Sequence, residues 1–289
     1  MSAAKILRSH LQKKGKMVIA PGAYDGISAR LIAQAGFEAI YMTGGGTSAS
    51  RIGQPDVGLT TLSEMVANAA MIVGCTGLPV IADADTGYGN ALNVIRTVRE
   101  YERAGVAGIH LEDQVFPKRC GYLTGKQIIS AEEFIQKIKA AADARKDPDF
   151  LIIARTDARA VAGMEEAVRR ANLYLEAGAD VFFVEAPQTL EEMREMPGRV
   201  EGPCLINMTG PVGKVAPPRS IELQEMGYKI AIYPAICLFA ALQSFRESLR
   251  TLREEGQIWD PLHRIQPQEF FQAMGLEEWM AAERKFIFP

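Results

Sequence analysis

Cysteine and histidine are both scarce in this chain. Four cysteines, Cys75, Cys120, Cys204 and Cys237, are scattered over 289 residues. They are too few for a disulfide scaffold, so a reducing, cytoplasmic setting is expected. The three histidines, His10, His110 and His263, stand at no spacing with cysteine that suits zinc. No apolar run approaches the about 18 residues of a membrane helix. The start of the chain, Met1 to Arg8, has no apolar signal core and reads as the beginning of a polar helix. Neither sign of charge dominates: 32 Lys and Arg face 35 Asp and Glu, a net charge of -3, which argues against a nucleic-acid binder. Linkers, charge blocks and low-complexity tracts are missing too, so nothing divides the chain into domains. With 48% hydrophobic and 23% charged residues, disorder is excluded as the dominant state.

What the chain does contain is repetition. Short apolar runs at 17–20, 39–42, 79–82, 107–111, 150–154, 180–184, 204–208 and 229–233 are rich in Ile and Val and nearly continuous. That is the pattern of parallel strands buried on both faces. Amphipathic stretches at 27–35, 62–73, 91–104, 131–144, 164–177, 190–196 and 221–226 lie between them. Several end in a glycine suited to a left-handed cap: Gly36, Gly105, Gly178 and Gly227. Eight strand–helix units predict an α/β fold, a (β/α)8 TIM barrel. A doubly wound sheet would want a G-x-G-x-x-G turn after the first strand, and Pro21-Gly22-Ala23-Tyr24-Asp25-Gly26 lacks that spacing. The chain is read as one domain, 1–289, with 257–289 a C-terminal extension. Its Phe270, Phe271, Met274, Leu276, Trp279 and Met280 need a partner surface, which a neighbouring subunit could provide.

In such a barrel the chemistry lies at the C-terminal ends of the strands. Strand three ends in Asp83-Ala84-Asp85 and strand four in Glu112. Two residues apart on an extended strand, Asp83 and Asp85 would share a face. With Glu112 they make a hard oxygen site suited to Mg²⁺, or Mn²⁺, completed by water and substrate oxygens. The alternative is that one carboxylate caps a helix or pairs with an arginine. Thr43-Gly44-Gly45-Gly46 after strand two offers unobstructed amides for a carboxylate, or is simply a turn. Arg155 closes an apolar strand and needs an anion; a substrate carboxylate would serve, as would a salt bridge with Glu185 or Asp157. The long loop Phe116–Lys126 carries Cys120 among Lys118, Arg119 and Gly121. Cationic neighbours favour a thiolate, and the segment reads as a lid bringing an acid/base group to the site.

Lys118-Arg119-Cys120-Gly121, Asp83-Ala84-Asp85-Thr86-Gly87-Tyr88-Gly89 and His110-Leu111-Glu112-Asp113-Gln114 together resemble the isocitrate lyase/phosphoenolpyruvate mutase superfamily. The resemblance runs from Pro21 to Pro234, and its nearest pattern is that of the 2-methylisocitrate and 2,3-dimethylmalate lyases. It implies a barrel whose eighth helix is swapped between subunits of a homotetramer. It implies Mg²⁺ held by Asp85, with Asp83 and Glu112 contacting it directly or through water and Asp56 beside them. Thr43, Gly44 and Gly45 match the cradle for the 2-oxo acid carboxylate, and Arg155 matches the substrate-binding arginine. Lys118, Cys120 and Gly121 match a catalytic gating loop. Tyr122, Glu185, Asn207 and Thr209 match positions facing the rest of the substrate.

The activity so implied is carbon–carbon cleavage of a substituted 2-hydroxy dicarboxylate to pyruvate and a carboxylic acid, with Cys120 as proton donor. Mutases of the superfamily carry Asn where Cys120 stands, which favours a lyase here. Relative to the methylisocitrate branch, Tyr122 replaces a His, Gly210 a Glu, and Phe239 an Arg. Thr43 replaces the usual Ser and keeps its hydroxyl. These departures leave fewer partners for a second carboxylate and favour 2,3-dimethylmalate, giving pyruvate and propionate, unless Arg159 or Lys214 compensates. The alternatives are 2-methylisocitrate lyase, an oxaloacetate hydrolase or decarboxylase, and a non-catalytic oligomeric scaffold. No membrane or nucleic-acid partner is expected.

Overall fold

A computed structural model describes residues 1–121, 123–210, 217–257 and 265–287. All eight apolar runs are strands: β1 Val18–Ala23, β2 Ile40–Met42, β3 Val80–Asp83, β4 Gly108–Glu112, β5 Leu151–Thr156, β6 Val181–Val184, β7 Cys204–Asn207 and β8 Ile230–Tyr233. Each pairs in parallel with the next, and β1 pairs with β8, closing a (β/α)8 TIM barrel. Nearly every strand residue is buried, because the barrel interior covers one face and the helices the other. This is why the runs are continuous rather than alternating.

β1 runs three residues past its expected end, through Pro21 and Gly22. A Cβ on Gly22 would lie 2.1 Å from the carbonyl oxygen of Pro234, just after β8. Only glycine lets the two backbones meet where the barrel closes. Gly22→Ala is expected to cost at least about 1–3 kcal/mol, the usual price of overpacking, because the obstacle is backbone. Thermal unfolding measures it, and an unchanged Tm would contradict this account of the closure.

Of the helices, α1 Ala3–Gln12 buries Ala4, Leu7 and Leu11. It is followed by α2 Gly26–Gln34, α3 Gly44–Ile52, α4 Leu62–Thr76, α5 Ala91–Arg103, α6 Ala131–Ala144, α7 Ala158–Ala162, α8 Met164–Glu176, α9 Leu190–Arg199 and α10 Ser220–Met226. Asp25, Thr61, Ser130 and Thr189 cap four of them with side-chain oxygens on the first-turn amides. Gly36, Gly105, Gly178 and Gly227 take positive φ, as their placement implied. α9 continues through Pro197, beyond the end expected before that proline.

α11 Ile236–Glu255 departs from the ring pattern. None of its residues is buried, although it carries Phe239, Leu242, Phe245 and Leu249. α12 Pro267–Ala273 and α13 Leu276–Arg284 complete the C-terminal extension. α12 lies by α2 of its own chain, where Gln34 Nε2 donates to the Ala273 carbonyl at 2.7 Å.

Candidate active site

The strand ends bring a set of carboxylates together at one mouth of the barrel. Asp83, the last residue of β3, is held on four sides. Its Oδ1 accepts from the Asp85 amide at 3.0 Å and lies 3.1 Å from His110 Nε2 on β4. Its Oδ2 accepts from the Gly44 amide at 3.2 Å and the Tyr41 hydroxyl at 3.4 Å. Burial disfavours its charge, but His110, Lys118 and the Asp85 amide outweigh that and hold the carboxyl well below its usual range.

Asp85 reaches the site by a different route from the one expected. β3 ends at Asp83, and Asp85 is in the left-handed region with φ 46°. The two side chains therefore do not share the face of an extended strand. A turn puts the Asp85 amide onto Asp83, and Tyr88 repeats the left-handed conformation at φ 60°. Strained backbone of this kind persists where surrounding contacts fix it, often at functional sites. Burial, with Asp83 and Asp56 nearby, pushes the Asp85 carboxyl up to about 6 against the pull of Lys118.

Glu112 closes β4 with no solvent exposure, and among the described residues neither of its carboxylate oxygens has a hydrogen-bond partner. Burial drives its carboxyl well above the usual range, against Arg155 and Lys118. Arg155 Nη1 lies 3.4 Å away. The Arg155 guanidinium is gripped by Asp157, with Nε to Oδ2 at 2.9 Å and Nη2 to Oδ1 at 3.2 Å. The salt bridge of Arg155 with Asp157 is thus formed. It leaves Nη1 directed to the carboxylate floor.

The Thr43-Gly44-Gly45-Gly46 segment is not a loop nest but the first turn of α3. Thr43 is its N-cap, with Oγ1 accepting from the Gly46 amide at 3.3 Å. The Gly44 amide is taken by Asp83 and the Gly46 amide by Thr43, so among the described residues it is the Gly45 amide that this helix start offers to an anion. A Cβ on Gly44 would lie 2.3 Å from Asp83 Oδ2.

The Cys120 loop is seated over this floor. Lys118 Nζ, buried, bridges Asp56 Oδ1 at 2.5 Å and Asp85 Oδ1 at 2.9 Å. Burial works against its charge, yet Asp85, Glu112, Asp56 and Asp83 raise it well above the ordinary lysine value. The Cys120 amide donates to the Asp56 carbonyl at 3.1 Å. A Cβ on Gly121 would lie 2.2 Å from Glu185 Oε1 and 2.9 Å from Arg155 Nη2, so the loop backbone rests on both side chains. Tyr122 lies outside the described residues.

On the far side, Asn207 Nδ2 donates to Glu185 at 3.3 Å, while its Oδ1 accepts from the Thr209 hydroxyl at 2.7 Å. Arg159 is committed elsewhere, to Glu192 at 2.6 and 3.0 Å. Lys214 lies outside the described residues. Phe239, expected to face this half, is more than half exposed on the first turn of α11.

Three site residues went unassigned in the sequence: Tyr41, His110 and Lys126. The first two fix Asp83 through the 2.8 Å contact between Tyr41 Oη and His110 Nε2. Asp157 stands where the salt-bridge alternative for Arg155 puts it, two residues on. For Lys126 the sequence carries no signal.

The carboxylate set was tested for a metal. Among the described residues no three His, Cys, Asp or Glu side chains form a ready-made cluster. Mg²⁺ does not require one, since it binds through one or two carboxylates and keeps water and substrate oxygens. Asp56, Asp83, Asp85 and Glu112 are opposed locally by Lys118 and an Arg155 already paired to Asp157. Buried Glu112 oxygens that accept no hydrogen bond among the described residues leave room in this site for a cation. The residues fit a hard divalent cation.

The sequence profile of the phosphoenolpyruvate phosphomutase family matches residues 7–253. The 2,3-dimethylmalate lyase of Eubacterium barkeri is 48% identical over 289 residues, 99% of each chain. A 2-methylisocitrate lyase of Aeropyrum pernix is 46% identical over 95% of this chain and 88% of its own. Among solved structures, an oxaloacetate acetylhydrolase bound to 3,3-difluorooxalacetate superposes with a TM-score of 0.93 at 40% identity, covering 98% of this chain and 97% of that one. A phosphonopyruvate hydrolase complexed with oxalate and Mg²⁺ superposes at 0.88 with 33% identity, covering 99% of each.

Proposed function

Because the chain belongs to the phosphoenolpyruvate mutase/isocitrate lyase superfamily, we propose that it is a Mg²⁺-dependent carbon–carbon lyase acting on 2,3-dimethylmalate. The products are pyruvate and propionate. The observation that carries this reading is the loop: Gly121 rests on Arg155 and Glu185 while Lys118 is anchored between Asp56 and Asp85, so Cys120 is delivered over the carboxylate floor.

Cleavage between C2 and C3 passes the C2 hydroxyl proton to a carboxylate of the floor, breaks the bond, and leaves the electron pair on C3 of the departing acid, which takes up a proton. Asp83, Asp85 and Glu112 would hold Mg²⁺, which would supply Lewis-acid stabilisation of the negative charge that develops on substrate oxygen. The Gly45 amide at the start of α3 and the Thr43 hydroxyl, with Arg155, bind the 2-oxo acid carboxylate. Cys120 gives its Sγ proton to C3. The seated loop excludes water that would otherwise compete for the reacting centre. Lys118 fixes the loop on Asp56 and Asp85. The complete set of groups speaks against a scaffold without chemistry.

The substrate choice follows from the far half. Glu185 presents a carboxylate there, Asn207 is already bonded to Glu185 and Thr209, and Arg159 is held by Glu192. Among the described residues of this half no cation is left for a second carboxylate, and an unpartnered one costs several kcal/mol in a closed site. Each 1.4 kcal/mol is tenfold in kcat/KM, so 2,3-dimethylmalate should be cleaved at least ~10-fold more efficiently than 2-methylisocitrate. Steady-state kinetics on both substrates decides. Preference for 2-methylisocitrate, releasing succinate, would show that a cation reaches this half. Oxalate and acetate from oxaloacetate would favour the hydrolase reading.

The unburied α11 supports exchange of that helix between subunits of a homotetramer. Among the described residues no helix is long and apolar enough to cross a membrane. A cytoplasmic site of action completes the proposal.

A further inference from the structure

Two lysines flank Cys120, and both are buried. Lys118 reaches down to Asp56 and Asp85. Lys126, at the far end of the loop, turns back on it. Its Nζ donates to the Gly121 carbonyl at 2.8 Å and to Asp157 Oδ1 at 2.6 Å. Asp157 is itself fixed: its amide donates to Asp113 Oδ1 at 2.9 Å, and its carboxylate accepts from Arg155. Loop and β5 are thus joined through one ammonium.

We propose that Lys126 is a positioning residue that latches the Cys120–Gly121 segment over the site by bridging the Gly121 carbonyl to Asp157. Charge balance alone does not account for this placement, since Arg155 already pairs with Asp157 in two hydrogen bonds. What Lys126 adds is the bond to Gly121, whose missing side chain lets the backbone come down onto Glu185 and Arg155. When the loop lifts, that carbonyl leaves a buried ammonium. A hydrogen bond to a charged group is worth about 10- to 100-fold in such an equilibrium. The consequence for turnover rests on the lyase reading given above, whereas the latch itself does not.

The test is alkylation of Cys120 by iodoacetamide in the full-length protein, followed by peptide mass, with Cys75 on α4 as internal reference. In Lys126→Met, Cys120 should react about 10- to 100-fold faster with Cys75 unchanged, and kcat/KM for the cleaved substrate should fall by a similar factor. Loss of a nearby cation by itself slows a thiol, so faster reaction reports access. Lys126→Arg keeps a cation beside Asp157 and should give an intermediate rate. If Lys126→Met does not fold, Lys126→Arg decides alone, by a Cys120 rate above wild type. A wild-type rate in the folded variants overturns the latch. Faster alkylation in a protein that cleaves none of the dicarboxylates would keep the latch and remove the lyase reading. Unchanged alkylation in an active lyase would do the reverse.

Discussion

Asp85→Ala is expected to abolish turnover while leaving the barrel folded. Asp85 is the carboxylate that the strained turn after β3 delivers between Asp83 and Lys118. Its loss removes one of the carboxylates that would hold the cation without opening the hydrophobic core. Folding should survive, because Lys118 keeps Asp56 at 2.5 Å and is not left buried without a partner. The melting temperature checks that point. Excess EDTA acting on the wild type should reproduce the loss, and Mg²⁺ should restore it. Full activity in EDTA would remove the metal from the account. The pH dependence has a definite sign. A carboxyl raised to about 6 holds a proton below that value, and a cation must displace it. Apparent Mg²⁺ affinity should therefore weaken as pH falls through about 6.

Cys120→Ser is expected to lower kcat by roughly 10²–10⁴, the range for a lost acid/base group. The substitution keeps nearly the same size and replaces a thiol of ordinary pKa about 8.5 with a far less acidic hydroxyl. Loop geometry should persist, because the backbone of residue 120 makes the fixing contacts: its amide donates to the Asp56 carbonyl and its carbonyl accepts from Leu123 at 2.8 Å. KM should change little, which single-turnover and steady-state rates together establish. A kcat near wild type would reduce Cys120 to a packing residue of the lid.

The barrel could be read from the chain because parallel strands buried on both faces leave continuous runs of Ile and Val, and all eight became strands. Site residues followed because they stand immediately after those runs. The reading failed where local chemistry overrode periodicity. Asp85 is reached through a left-handed turn rather than an extended strand, and the glycines after Thr43 open a helix. Tyr41 and His110 hold Asp83 from neighbouring strands, a relation set by barrel register and not by spacing along the chain. Lys126 turns back across the loop to Asp157, 31 positions on, so no window of sequence could link them. α11 was hidden for a different reason: none of its residues is fully buried within its own chain.

The most direct measurement is product analysis by proton NMR of the purified protein incubated with 2,3-dimethylmalate and Mg²⁺, beside a sample containing excess EDTA. Pyruvate and propionate should appear in equal amounts in the first tube and be absent from the second. No cleavage of 2,3-dimethylmalate alongside rapid turnover of another dicarboxylate would contradict the substrate assignment, and equal product in both tubes would contradict the role given to Asp83, Asp85 and Glu112.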